Sequence, residues 1–229
     1  MERNASFPWY AEAVVERKPG RGGRRAQAAR NDRRILEAAR EVFTSDPGAP
    51  VAAVARRAGV GISALYRRYP SKEDLLRRLC HEGLRRYLAE VEAALADDRD
   101  AWAAFADFMR RAVDADTSSL TVPLAGTFTP SQELNRDAAR ARELSRRLFE
   151  RTRAAGVIRP DVEVDDVFLL LEQLAATRLG DEGRTRELRQ RYLALVLDGL
   201  RARPEVPLPG RPPRWEEIGG RWNGASSPP

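Results

Sequence analysis

Apolar residues recur along most of the chain with the 3.6-residue period of a helix, and no segment alternates convincingly as a strand does. From Asn31 onward, Ile35, Leu36, Ala39, Val42 and Phe43 fall on one helical face, with Asn31 or Asp32 as the cap and Asp46-Pro47-Gly48 as the stop. Val51, Val54, Ala55 and Ala58 form a second, short stripe after Pro50, at a place where a first helical residue tolerates proline. Gly59 follows, and a third helix is expected from about Ile62 to Tyr69, closed by Pro70. Ser71-Lys72-Glu73-Asp74 resembles a capping box. Behind it Leu75, Leu76, Leu79, Leu84, Tyr87, Leu88, Val91 and Leu95 keep helical period, so the spacing predicts one long fourth helix to about Ala96.

The remainder reads as helical too. Trp102, Phe105, Ala106, Met109 and Val113 share one face after Asp97-Asp98, and a neutral stretch at 117–132 then interrupts the pattern. A charged helix is expected over 131–155, with Gly156 as its stop, and Asp165-Asp166 open an apolar helix through Leu174. The last helix carries Leu188, Tyr192, Leu195, Val196, Gly199 and Leu200. Residues 1–30 read as a flexible basic arm, broken by Pro19, Gly20, Gly22 and Gly23. Residues 204–229 hold seven of the 15 prolines and read as a largely irregular tail. The expected fold is all-α: a three-helix unit over 31–80 and a larger helical domain over 81–203.

Composition narrows the chemistry. The 229 residues are 42% hydrophobic and 32% charged, the mix of a folded protein. One cysteine excludes an internal disulfide framework and, with one histidine, argues against a Cys/His zinc site, so a reducing cytoplasm is the expected compartment. The first twenty residues lack the apolar run of a secretory signal, and the neutral stretch at 117–132 is too short and too rich in Thr, Ser and Pro to span a bilayer. No membrane partner is expected. Cys80 and His81 are adjacent, so on a helix they point about 100° apart and make no nucleophile–base pair. No catalytic residue, metal or cofactor is expected. Residues 1–82 contain 17 basic and 10 acidic side chains, against 23 and 24 in the rest. A basic first third on a near-neutral body suggests an anionic polymer at one end, although a solvated arginine-rich surface gives the same count.

The informative segment is VAAVARRAGVGISALYRRYPSKEDLL, residues 51–76, two short helices about a glycine turn. Such a helix-turn-helix can lay its second helix in a DNA major groove. With the preceding ILEAAREVF, the turn ARRAGV and the run LYRRYPSKEDLL, residues 31–80 resemble the tetracycline-repressor (TetR) family of bacterial transcription regulators. The resemblance implies an N-terminal DNA-binding domain and a larger ligand-binding and dimerisation domain. It also implies a homodimer on a palindromic double-stranded operator, acting as a repressor released by a small-molecule effector, in the cytoplasm with the nucleoid. An architectural DNA-binding protein without sensing, or a helical ligand-binding or interaction protein, are the alternatives.

Ser63, Tyr66, Arg67 and Lys72 are the candidate DNA contacts of the motif, with Arg24, Arg25 and Arg30 of the arm in a minor groove or on the backbone. Gly61-Ile62-Ser63-Ala64 open the third helix with a single hydroxyl, so direct hydrogen-bond readout is thin, and Pro50 stands where the family often has a phosphate-binding threonine. Trp102, Phe105, Met109, Phe128, Phe149 and Phe168 are candidate walls of a pocket for a hydrophobic or aromatic effector, or else plain core. Leu170, Leu174, Tyr192, Val196 and Leu200 are the candidate dimer contacts, in a four-helix bundle. Trp215 and Trp222 have no assigned role; they either dock on the body or lie free.

Overall fold

The computed structural model describes residues 21–116, 118, 120, 124–201 and 206–222; the side chains of 21–25 and 222 fall outside that description. The helices are α1 (Arg21–Ser45), α2 (Val51–Ala58), α3 (Ile62–Arg68), α4 (Lys72–Leu95), α5 (Ala101–Asp114), α6 (Gln132–Ala154), α7 (Val164–Ala176), α8 (Glu182–Leu200) and α9 (Trp215–Gly219), with a closing 3₁₀ turn (Gly220–Trp222). An isolated antiparallel bridge joins Ile158 to Arg201, and no strand ladder occurs among the described residues. The fold is all-α, as the periodicity indicates.

Most helix starts carry their own cap. Ser71, Asp100, Ser131 and Asp181 each accept a hydrogen bond from the backbone N–H three residues on, and Glu163 and Asp166 form a reciprocal box before α7. Each satisfies a donor that the first turn otherwise leaves unpaired.

α1 starts at Arg21, ten residues before the expected boundary, so 21–30 continue the helix rather than form an irregular arm. Gly22 and Gly23 lie in its first turn, and a glycine costs only about 1 kcal/mol against alanine. The exposed run Ala26, Gln27, Ala28, Ala29 and Arg30 then consists of good helix formers.

The helices bury two cores. The first holds Leu36, Phe43, Val54, Leu65, Leu75 and Leu79, and also Leu120, Leu124, Phe128 and Leu134 from the stretch after α5. The second holds Tyr87, Val91, Phe105, Phe108, Met109, Leu148, Leu171, Leu193 and Leu197. α4 supplies both, and Leu84 packs against each. Polar ties reinforce the junction. Arg40 Nη1 donates to the Asp116 carbonyl at 2.7 Å, and Arg189 Nη1 donates to Asp116 Oδ1 at 2.7 Å. Arg189 also closes the C-terminal end of α7 through the carbonyls of Ala175 and Thr177.

The tail does not stay irregular. Leu208 N–H donates to Asp161 Oδ2 at 2.7 Å, Ile218 is buried, and Trp215 packs on Phe168 with ring centroids 6.0 Å apart. Proline content fits the extended approach, while Trp215-Glu216-Glu217-Ile218 is a short capped helix with an apolar side.

Phe43 is fully buried in the first core, with Lys72 Nζ 5.1 Å from its ring centroid. Phe43→Ala is expected to cost about 3–5 kcal/mol, read as a lower denaturation midpoint.

Candidate nucleic-acid interface

The local sequence dictates the turn between α2 and α3. Gly59 ends α2 at φ +64, and Val60 N–H returns to the Ala55 carbonyl at 3.0 Å. The left-handed backbone favours glycine here; a Cβ would lie 2.9 Å from Arg34 Nη2, but that guanidinium ends a flexible, exposed side chain that can swing aside. Gly61 then caps α3 in an extended conformation.

α3 has two faces. Leu65 is fully buried and Tyr69, just past the helix, is 5% exposed. Ile62, Ser63, Tyr66 and Arg67, at i, i+1, i+4 and i+5, are exposed on the opposite side. Both Arg68 and Tyr69 reach back to Asp32 of α1: Arg68 Nε donates at 2.7 Å, Arg68 Nη2 at 3.1 Å and the Tyr69 hydroxyl at 2.6 Å. The Arg68 hydrogen bonds hold the Asp32 carboxyl below its ordinary value of 3.8, against partial burial. Burial first, and then the bond to Asp32, push the Tyr69 hydroxyl up, so it stays a donor. The clamp fixes how α3 projects from α1.

Ser63, Tyr66 and Arg67 therefore share one accessible face, as the spacing suggests. Lys72 departs from its expected role. Its ammonium turns inward and donates to the carbonyls of Pro47 and Ala49, both at 2.9 Å, so it ties the α1–α2 turn to α4 rather than waiting for phosphate. Pro47 and Ala49 lie in the turn between α1 and α2, outside either helix, so their carbonyls are available to a cation. Arg30 is exposed and donates to Gln27; the Arg24 and Arg25 side chains lie outside the described residues. Sequence reasoning missed Arg33, Arg34 and Arg56. With Arg67, they are exposed and have no carboxylate within ion-pair distance among the described residues, whereas Arg57 and Arg68 are held by Glu41 and Asp32.

The candidate pocket residues do not converge on one cavity. Phe105, Met109 and Phe149 are packed in the second core, and Phe128 lies in the first, with the reading head. Trp102 is half-buried, with the Arg201 guanidinium 4.9 Å from its ring centroid. Phe168 is half-buried between Tyr87 and Trp215. A cavity of about 10 Å³ lined by Ala112, Val113, Asp116, Ser118, Leu171 and Ala175 has room for a single water.

The candidate dimer residues split by face. Leu174 and Leu200 are 4% and 5% exposed, buried in the chain's own second core. Tyr192 is 44% exposed, and Leu170 and Val196 lie half-exposed at the core's edge. Leu195, at 65% exposure, and Leu179, at 64%, were not among the expected contacts.

Cys80 and His81 are neighbours on α4. Burial pushes the Cys80 thiol up to about 12. His81 Nε2 lies 3.1 Å from Asp137 Oδ2 and 3.5 Å from Glu133 Oε1, joining α4 to α6.

A short helix held by its back face, with a polar and basic front, defines a helix-turn-helix DNA-binding protein. Residues 35–79 match the bacterial regulatory proteins of the tetR family, and residues 97–202 match the C-terminal domain of SbtR-like transcriptional regulators. The chain belongs to the TetR family of transcriptional regulators. A TetR transcriptional regulator of Streptomyces coelicolor is 29% identical over 74% of this chain and 98% of its own, with a TM-score of 0.50. Two more distant structures share the fold. The ketosteroid transcriptional regulator KstR2 of Mycobacterium tuberculosis is 21% identical over 74% of this chain and 95% of its own, with a TM-score of 0.55. The TetR-like regulator LfrR of Mycobacterium smegmatis, solved in complex with proflavine, is 24% identical over 72% and 95%, with a TM-score of 0.52. No curated protein matches the chain significantly. Among the described residues no helix is long and apolar enough to cross a membrane.

Asp32→Asn should loosen the clamp and lower stability by about 1 kcal/mol, with a larger proportional loss of operator affinity. Because the folded state depresses the Asp32 pKa, the clamp stabilises fully above 3.8 and is lost as pH falls through the depressed value. The acid limb of a stability–pH profile should therefore flatten in Asp32→Asn.

Proposed function

We propose that the protein represses transcription by binding a palindromic operator as a homodimer, and that a small-molecule effector releases it. The observation that carries this reading is the exposed α3 face of Ile62, Ser63, Tyr66 and Arg67, set by the clamp behind it. In the groove, Ile62 meets thymine methyl groups, Ser63 and Tyr66 donate hydroxyls, and Arg67 reaches a guanine edge or a phosphate. Arg33, Arg34 and Arg56 supply phosphate contacts, together with the backbone N–H of Lys72. Residues 21–30 touch the duplex from outside, since a helix about 10–12 Å wide does not enter a minor groove about 6 Å wide. A DNA partner places the protein in the cytoplasm with the nucleoid.

Support for the dimer comes from the exposed stripe of Tyr192, Leu195 and half-exposed Val196 on α8, beside Leu170 and Leu179. Packed against its two-fold copy, α7 and α8 make a four-helix bundle. Operator half-sites are then about 34–36 Å apart, or a multiple of that. The effector reading rests on the aromatic second core. Its small cavity means that a ligand enters by moving a wall.

Fluorescence anisotropy on the chain's own upstream DNA tests the main claim. Affinity should fall on the order of a thousandfold between about 50 and 200 mM salt if six or more phosphates are engaged. A flat response, or equal affinity for scrambled DNA, would count against a sequence-specific regulator. Arg56→Ala should weaken all sequences alike, and Arg67→Ala should change their ranking.

Sedimentation tests the dimer. Leu195→Glu should give folded monomers by burying an unpaired charge at the contact. Leu200→Glu should instead unfold the protomer. A Leu195→Glu protein that stays dimeric would remove this face from the interface.

A further inference from the structure

The C-terminal segment is held by a few specific groups of the effector domain. Glu172 of α7 is 6% exposed, and Arg221 Nη2 donates to both of its carboxylate oxygens at 3.0 Å. No other cation lies within ion-pair distance of Glu172 among the described residues. One helical turn earlier, Phe168 meets Trp215, and the Arg142 guanidinium from α6 lies 4.6 Å from the Trp215 ring centroid. Ile218, between Trp215 and Arg221 in the chain, is 5% exposed, while residues 206–212 are exposed.

Charge decides what belongs in this place. Asp165, on the same α7 face, sits 3.9 Å from Arg142, and burial pushes its carboxyl above the ordinary value, toward the neutral form. Glu172 remains, a buried carboxylate whose cation comes from the tail. A buried charge without a partner is strongly unfavourable, so whenever Arg221 leaves, another cation is drawn in. The aromatic slot at Phe168 lies one turn away, about 5–6 Å along the helix.

We propose that Phe168, Arg142 and Glu172 form a binding site for a ligand carrying an aromatic ring and a planar cation, a guanidinium or amidinium, and that Trp215 and Arg221 occupy it as a built-in competitor. This deepens the effector reading above and rests on it. The ring takes the place of Trp215 against Phe168 and Arg142, and one nitrogen of the cation takes the place of Arg221 Nη2 between the two Glu172 oxygens. A tethered competitor acts at an effective concentration of the order of millimolar, so a free ligand succeeds by better fit or by higher concentration. Release also has a route to the reading head. The Arg221 carbonyl oxygen lies 3.5 Å from the position of a Cβ on Gly126, between Leu124 and Phe128, both buried in the reading-head core. Lifting the tail uncovers that turn.

Calorimetric titration of the full chain with phenethylguanidinium, against neutral phenethylurea, tests the site. Arg221→Ala should bind phenethylguanidinium about tenfold or more tighter than the parent, because the competing state is removed. Adding Glu172→Gln to Arg221→Ala should abolish that gain, and phenethylurea should bind every form weakly. Arg221→Ala binding no tighter than the parent, or binding the urea equally well, overturns the proposal. Should Arg221→Ala fail to fold, Trp215→Ala decides, with a gain supporting the site and no gain overturning it. Operator binding is measured in parallel. Guanidinium binding that leaves operator affinity unchanged keeps the site and removes its effector role. Operator release by neutral aromatics, with no guanidinium gain in Arg221→Ala, removes the site and keeps the effector reading.

Discussion

Twenty-four residues of unbroken helix, Lys72–Leu95, belong to two hydrophobic cores at once, and the coupling of the molecule depends on that sharing. Leu75, Leu76 and Leu79 cannot shift without repacking the reading head, and Tyr87, Leu88 and Val91 cannot shift without repacking the larger domain. At 1.5 Å per residue α4 is about 36 Å long, so a tilt of about 10° at its centre moves either end by about 3 Å. Close-packed cores resist continuous deformation, so such a tilt occurs as a change between packings. In the proposed mechanism the spacing of two α3 helices across a dimer is the quantity that this lever sets.

A second connection runs beside the lever. Asp116, at φ +50, takes Arg40 of α1 on its carbonyl and Arg189 of α8 on its carboxylate, while Arg189 also closes the end of α7. Arg77 and Glu73 hold the backbone of Thr129, and His81 faces Asp137. These contacts bring the stretch after α5 onto the reading head, where Leu120, Leu124 and Phe128 complete its core. A three-helix unit of about fifty residues buries little by itself, and the borrowed side chains make up the deficit. The same borrowing joins the stability of the reading head to the state of the larger domain.

The elements that follow from local chemistry are legible in the sequence, and those that depend on long-range choice are not. Leu65 inward with Tyr66 and Arg67 outward follows from helical period alone, as do the caps at Ser71 and the glycine turn. Lys72 reads correctly as a residue at a helix start, but the direction of its ammonium depends on carbonyls 23 and 25 positions away. On α8, Leu200 and Leu195 are both apolar and both on helical stripes. Burial in the chain's own core and exposure on its surface leave the same pattern, so helical period marks Leu200 as a contact and does not single out Leu195. Phe128 sits in a neutral stretch that suits a pocket wall, and only the return of that stretch onto α1–α4 puts it in the other core. In the tail the prolines suggest irregular chain, and Trp215 leaves docking open. Its aromatic and basic residues carried the information.

The clamp behind α3 also limits how DNA can be read. Arg68 is adjacent to the exposed face, but leaving Asp32 for a phosphate would forfeit two charge-assisted bonds and leave the Tyr69 hydroxyl alone on that carboxylate. Arg68 therefore holds α3 in place, and Arg67 is the one guanidinium that α3 presents freely. Ser63 and Tyr66 add one hydroxyl each, and Ile62 at 41% exposure is an apolar side chain that gains by leaving water. A face with one fork-shaped donor, two hydroxyls and an isoleucine distinguishes few base pairs by hydrogen bonding and favours thymine methyls beside a guanine. The remaining selectivity has to come from where the phosphates lie, since Arg33, Arg34 and Arg56 are carried on the frame that the Asp32 clamp makes rigid. In the proposed reading, specificity is a property of DNA shape measured against these arginines, with base contacts as a correction to it.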